Sequence, residues 1–334
     1  MVDTVKIAVI GAGSWGTALA LALARNKHDI ALWGHREAHC RTMSEEKENA
    51  SYLPGFKFPS NFQIDADLQN LVANHECFLI VTPSHAFRAT LQQLKQVGIK
   101  DDALVTWATK GFDNNGPVLL SKVIEQELSN KTKRAIISGP SFSKEVAGDF
   151  PTAVTVASDD ESVASAVAAL FSGGFLRAYT NPDLIGVQIG GAIKNVMAIA
   201  AGISDGLGYG ANSRAAIITR GLAEIARLGV ALGAKQETFQ GLAGMGDLVL
   251  TCTDDQSRNR RLGLGLGKGQ SLTSTIAEIG QEVEGYTTTP EVVRLAQQHS
   301  IEMPICEQVY AVLYKDMPAR DAVNALLTRQ LGGE

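Results

Sequence analysis

Excess positive charge is missing from this chain: 30 Lys and Arg stand against 35 Asp and Glu, a formal net charge of −5. Without a global positive field, nucleic acid and anionic membranes are excluded as general partners, and an anionic small molecule must be held by local cations. Cysteine is scarce as well. Cys40, Cys77, Cys252 and Cys306 are scattered, with no C-x-x-C and no histidine at metal-ligand spacing. That spacing excludes a disulfide framework and predicts no metal site, leaving free thiols in a reducing cytoplasm. The opening MVDTVKIAVIGAGSWG lacks the basic n-region of a signal peptide and reads as a first strand. Internal repeats, low-complexity tracts and long linkers are also lacking.

Long apolar runs are nearly absent, with one exception. Residues 184–203, LIGVQIGGAIKNVMAIAAGI, carry a single charge, Lys194, and have the length of a membrane span. Four glycines and the polar Gln188, Lys194 and Asn195 oppose that reading, since a lysine at a bilayer centre costs about 3 kcal/mol or more. A buried helix without a membrane span is the expectation, and it makes Lys194 a buried cation.

What is present suits two folded domains: 334 residues, 45% hydrophobic and 19% charged. Val5–Ile10, Ile30–Trp33, Cys77–Thr82, Ala103–Ala108 and Ala135–Ser138 are short β-rich runs. Helical patterns such as Gly16–Arg25 and Ala86–Lys95 fall between several of them. Alternation of this kind predicts an α/β, doubly wound, mostly parallel sheet, extended by Ala153–Ala157 and Phe175–Tyr179. After about Asn181 the β signal fades. Ile189–Ile203, Ser213–Leu232, Ser274–Ile279 and Pro290–His299 carry helical periodicity, with Asn212 or Ser213 as a start cap and Gly233 as a stop. The expected division is a Rossmann-like domain over 1–180 and an all-helical substrate domain over 181–334. GLGLGKG (Gly263–Gly269) reads as a mobile loop.

The first chemical motif follows the first strand directly. Gly11, Gly13 and Gly16, with Ser14 and Trp15 between, form G-x-G-x-x-G at a strand-to-helix turn. Gly11 permits the tight turn, Gly13 a close pyrophosphate, and Gly16 tight helix–strand packing, so a dinucleotide rests on the helix N-terminus. An enzyme restricted to NAD places an acidic residue at the end of the second strand. This chain has His35 and Arg36 there, followed by Glu37. NADPH is therefore the expected cofactor, with NADH tolerated.

Four further clusters carry chemistry. Lys110 follows a strand at the edge where open α/β sheets bind ligands, and Gly139 and Ser141 follow the next. Lys194 is suited to acid–base work because burial lowers a lysine pKa toward neutrality. Asp247, within GLAGMGDLVLTC, is its expected partner, with Asn195 and Thr251 fixing the surroundings. Ser257, Arg258 and Asn259 supply donors for a phosphate.

The blocks GAGSWG, TKGF, SGPSF, GGAIKNV, GLAG-x-GDL, SRNR and VEGYTT, in this order and spacing, resemble the bacterial type of NAD(P)-dependent glycerol-3-phosphate dehydrogenase. The resemblance runs from Gly11 to Thr288. It implies a Rossmann-like domain, a helical domain, a cleft between them and a homodimer. It also implies interconversion of dihydroxyacetone phosphate and sn-glycerol 3-phosphate for phospholipid synthesis. By that resemblance Lys194 transfers the proton, assisted by Lys110 and Asp247. Lys110, Gly139, Ser141, Lys194, Asp247, Ser257, Arg258 and Asn259 meet the substrate. Ser14, Trp15, His35, Arg36, Lys110, Ser143, Arg258 and Glu284 stand at cofactor positions. Ser143 and Glu282 depart from the apolar residues common there. Rival readings are another two-domain reductase, of 6-phosphogluconate or ketopantoate type, and a non-catalytic NADPH sensor.

Overall fold

The computed structural model describes residues 4–328, and the chain divides into two compact units. The first takes residues up to Asn114 and Val118–Leu184; the second takes Asn115–Pro117 and the chain from Ile185 onward.

The first unit is one sheet flanked by helices. Its strands are β1 (Lys6–Ile10), β2 (Asp29–Trp33), β3 (Phe62–Asp65), β4 (Cys77–Ile80), β5 (Leu104–Trp107), β6 (Lys133–Ser138), β7 (Thr152–Ala157) and β8 (Leu176–Asn181). They lie in the order β3-β2-β1-β4-β5-β6-β7-β8. All pairs from β3 to β6 are parallel, while β7 runs antiparallel to β6 and β8 parallel to β7. Ile7 pairs with Ile30 on one side and Cys77 on the other, so the strand order reverses direction at β1. Ligands bind at the carboxyl edge beside such a reversal.

Helix Ser14–Arg25 is buried from Gly16 to Ala24, an apolar helix sealed against the sheet core of Ile7, Val9, Leu79 and Ile137. Its last residue, Arg25, donates to the Val146 and Ala147 carbonyls at 2.5 and 2.8 Å. The short edge strand β3 carried no legible signal in the sequence. Its four residues follow Pro59 and present only one buried side chain, Phe62.

Among the described residues the second unit contains no strand. Its longest helix, Leu184–Gly206, is among the described residues the one helix long and apolar enough to cross a membrane, and 89% of its apolar window is buried inside the protein. It is a core helix. Helix Ala211–Ala231 starts on Gly210 without a side-chain cap, so neither Asn212 nor Ser213 serves as its cap. Ser213 Oγ instead lies 2.8 Å from Ser204 Oγ. Gly233, with φ +94°, supplies the left-handed turn after the helix end.

The glycine-rich stretch from Gly263 corrects the loop expectation. Residues Arg258–Gly267 form a helix, and only Lys268 and Gly269 lie beyond it. A β-carbon at Gly263 would sit 2.1 Å from the Ile199 carbonyl oxygen, and one at Gly267 2.4 Å from that of Ile203. Reciprocally, Gly202 and Gly206 face Gly263 and Gly267, each with the opposing Cα 2.9 Å from its missing β-carbon. Two small-residue pairs spaced by four let the helix backbones touch. Glycine here serves packing, which overrides its poor intrinsic helix propensity.

Candidate active site

At the carboxyl edge of the first unit, the chain leaves β1 through Gly11, whose φ is +123° and whose missing β-carbon would meet the Val81 carbonyl at 2.6 Å. At Gly16 a β-carbon would lie 1.9 Å from the Gly11 carbonyl oxygen. Gly13 differs: nothing stands within 4 Å of its missing β-carbon. It is the N-cap of helix Ser14–Arg25 and offers no capping side chain. The turn therefore presents free backbone N–H groups, at the positive end of a helix, to open space. An anionic pyrophosphate fits such a cradle.

Buried Asn49, a residue the sequence did not mark, holds the turn from behind. Its amide donates to the Ala12 carbonyl at 3.0 Å and to Thr17 Oγ1 at 2.8 Å. Ser14 Oγ donates to the Tyr52 carbonyl at 2.7 Å. Trp15 is half-buried, and His35 and Arg36 are exposed just past β2. Lys110, half-buried, follows β5; Gly139, with φ +142°, follows β6. Ser141 Oγ donates back to the Gly139 carbonyl at 2.9 Å, and Ser143 opens the short helix Ser143–Ala147. Every candidate of the first unit thus lies just past the end of β1, β2, β5 or β6, at one edge of the sheet.

The second unit gathers its candidates into two linked groups. Lys194, 8% exposed, donates to Asp247 Oδ1 at 2.5 Å and to Thr251 Oγ1 at 2.7 Å; Asp247 is 1% exposed. The Thr251 hydroxyl in turn donates to the Asp247 carbonyl at 2.6 Å. A buried ammonium is tolerated because a carboxylate and a hydroxyl replace its water. Local backbone geometry explains the meeting. A π-helical turn, Leu242–Gly246, immediately precedes helix Asp247–Thr253. A β-carbon at Gly190 would sit 2.5 Å from the Ala243 carbonyl oxygen, so this glycine, one turn before Lys194, lets the π turn approach. Irregular turns of this kind concentrate at functional sites.

The neighbouring residue continues the network. Asn195 Nδ2 donates to Glu284 Oε2 at 3.0 Å, and Asn259 Nδ2 donates to Asn195 Oδ1 at 2.9 Å. Asn259 Oδ1 accepts from the Gly285 backbone N–H at 2.8 Å. Ser257 caps helix Arg258–Gly267, its hydroxyl accepting from the Arg260 N–H at 3.2 Å. The Arg258 side chain is half-buried and makes no hydrogen bond or ion pair among the described residues, whereas Arg260 is committed to Asp205 and Asp255. The serine and asparagine of SRNR therefore shape the helix start, and Arg258 presents an uncommitted guanidinium.

Glu224 is a further buried acid, which the sequence did not single out. It accepts from the Ile305 N–H at 2.8 Å and the Cys306 N–H at 3.3 Å, and burial pushes its carboxyl up to about 7. No group of three or more His, Cys, Asp or Glu able to hold a metal occurs among the described residues.

With this geometry in place, comparison with known proteins is specific. Residues 6–164 match the family model described as NAD-dependent glycerol-3-phosphate dehydrogenase N-terminus, and residues 183–324 match that of its C-terminus. The chain is 52% identical over 332 residues to glycerol-3-phosphate dehydrogenase (NAD(P)+) of Pseudoalteromonas translucida, covering 99% of each. A solved glycerol-3-phosphate dehydrogenase from Coxiella burnetii is 45% identical, with a TM-score of 0.94, over 98% of this chain and 99% of that one. The yeast Saccharomyces cerevisiae enzyme structure is 28% identical with a TM-score of 0.82, over 96% and 99%.

Proposed function

The chain belongs to the NAD-dependent glycerol-3-phosphate dehydrogenase family, and on that premise we propose that it interconverts dihydroxyacetone phosphate and sn-glycerol 3-phosphate with NADPH or NADH. The observation that carries this reading is the buried Lys194–Asp247–Thr251 cluster, an acid–base group on a core helix of a chain that also has a dinucleotide turn. A bare cofactor sensor has no use for it.

The cofactor fits the first unit, because the Gly13 turn is open and supplies N–H donors. Ser14, Trp15, His35, Arg36, Lys110 and Ser143 are the residues we assign to it there. Arg258 and Glu284 are its assigned contacts from the second unit. When bound, the nicotinamide supplies or accepts the hydride. Lys194, as ammonium, gives its proton to the carbonyl oxygen in the reducing direction, and in reverse the neutral amine is the base. Asp247 and Thr251 hold the amine in place, which removes a reorganisation cost at the moment of reaction.

Arg258 offers a planar fork of donors to the substrate phosphate. Lys110, Gly139, Ser141, Ser257 and Asn259 are also assigned to the substrate, the last two through donors at a helix N-terminus. The product's use as a phospholipid backbone, a cytoplasmic location and a homodimer complete the proposal. Its test is the disappearance of reduced cofactor on adding dihydroxyacetone phosphate. Turnover with both cofactors, faster with NADPH, is expected. Preference for a keto acid without phosphate would sink the substrate assignment.

A further inference from the structure

Tyr52 lies in a loop that no step above uses, yet it touches two of the assigned cofactor residues. Its carbonyl accepts from Ser14 Oγ at 2.7 Å, and its hydroxyl accepts from Arg36 Nη2 at 2.7 Å. The Arg36 guanidinium carbon also lies 6.0 Å from the centre of the Tyr52 ring. His39 packs edge-on against that ring, with centroids 5.3 Å apart.

The loop that delivers this tyrosine is closed and braced. Glu48 and Lys57 form a β-bridge at its ends, and their side chains pair at 2.7 Å. Glu48 also accepts from the Gly55 N–H at 2.7 Å. At its start, buried Asn49 is fixed to the glycine turn through Ala12 and Thr17, and His39 Nε2 lies 3.1 Å from Asn49 Oδ1. Leu53, buried, hydrogen-bonds back to the Asn49 carbonyl at 2.8 Å. Tyr52, whose N–H donates to the Asn49 carbonyl at 3.3 Å, is therefore held by the same residue that holds the glycine turn, while Arg36 is otherwise an exposed side chain.

We propose that Tyr52 is a specificity-determining residue: it pre-orients Arg36 for a 2′-phosphate and so sets the preference for NADP(H) over NAD(H). An unheld arginine on the surface loses rotamer freedom when it binds a phosphate, and that loss subtracts from affinity. Here the tyrosine ring and hydroxyl have already restricted it. Because the hydroxyl accepts from Arg36, its own hydrogen remains to donate, so both groups present donors and neither presents charge repulsion to an anion. The inference rests on the assignment of Arg36 to the cofactor, and the test separates the two.

Affinity for 2′,5′-ADP and for 5′-AMP, which differ in the 2′-phosphate, is measured by calorimetry on the wild type, Tyr52→Phe, Arg36→Ala and the double variant. Tyr52→Phe keeps the ring and its packing. It is expected to weaken 2′,5′-ADP roughly three- to tenfold, the cost of ordering one rotamer-rich side chain, and to leave 5′-AMP unchanged. In the Arg36→Ala background the same change is expected to do nothing further. The ratio of kcat/KM for NADPH over NADH should fall in step. If Arg36→Ala leaves the ratio of the two affinities intact, the assignment of Arg36 is wrong and the inference falls with it. If Arg36→Ala lowers the ratio and Tyr52→Phe does not, only the role of Tyr52 is overturned. Equal weakening of both nucleotides by Tyr52→Phe would make it a mere brace, which also overturns the proposal.

Discussion

Two glycine-rich stretches of this molecule look alike on paper and do opposite things. Gly11–Gly16 follows a strand, and its middle glycine faces open space. Gly263–Gly267 lies inside a helix, and its Gly263 and Gly267 are met by the backbone of the long helix, down to 2.1 Å from a missing β-carbon. One absence of side chain makes room for a ligand and the other for a neighbouring helix. The two units differ in the same sense. The first offers exposed backbone donors and surface cations, whereas the second holds its chemistry in buried, mutually satisfied side chains.

The largest expected effect tests the buried side of that contrast. Lys194→Ala should lower kcat by about 10²–10⁴-fold while nucleotide binding, a property of the open turn, is kept. Loss of binding to match the loss of kcat would show that the two are not separable. A melting curve accompanies the assay, since the change leaves Asp247 buried without its ammonium, which is destabilising by itself.

Next is Gly263→Ala. Its methyl group meets backbone that cannot swing aside, so a cost of about 3 kcal/mol or more is expected, read as a melting temperature lower by roughly 5–10 °C. An unchanged melting curve would show that the helices separate easily and that the contrast between the two glycine stretches is false.

Glu224 tests whether burial in the second unit is felt as pH dependence. Its folded pKa, about 7, lies above the ordinary 4.5, and burial is the main cause. A raised pKa means that stability is fully present below about pH 4.5 and is lost as pH rises through 7. A loss on the order of 2 kcal/mol between pH 5 and 8 is expected, and Glu224→Gln should flatten that slope. A variant with the wild-type slope would place the titration elsewhere.

The smallest effect on stability belongs to Gly13→Ala. No atom lies within 4 Å of the added methyl, so the melting curve should not move. NADPH affinity should fall by about tenfold or more, because the pyrophosphate needs the space. This variant and Gly263→Ala form a pair, one losing ligand without stability and the other stability first.

The strands from β1 to β8 were legible wherever a run of buried apolar residues marked them, as in β1, β4 and β6. β3 was not, since Gln63 and Asp65 alternate with only two apolar residues on an edge. Nor did the sequence announce that β7 runs against β6, because reversal depends on the connection between them and leaves no periodicity. Lys194 stood out as the single charge in the apolar run 184–203. Its neighbour's link to Asn259 and Glu284 did not, for those residues lie 64 and 89 positions away and meet only in the fold. The misreading of Gly263–Gly267 has the same origin, as composition reports what glycine allows and not what fills the gap. Asn49 and Tyr52 gave no signal either, being ordinary polar and aromatic residues in a loop.

The scattered cysteines have a practical consequence. All four are buried, with Cys40 and Cys77 in the first unit and Cys252 and Cys306 in the second. Burial pushes the Cys77 and Cys252 thiols up to about 12 and raises Cys306 as well, so the reactive thiolate is suppressed in the closed protein. Alkylation can then proceed only through opening, and each thiol becomes a built-in clock for the unit around it. Mass spectrometry of labelled peptides would time the opening of each unit separately, without adding a probe to either.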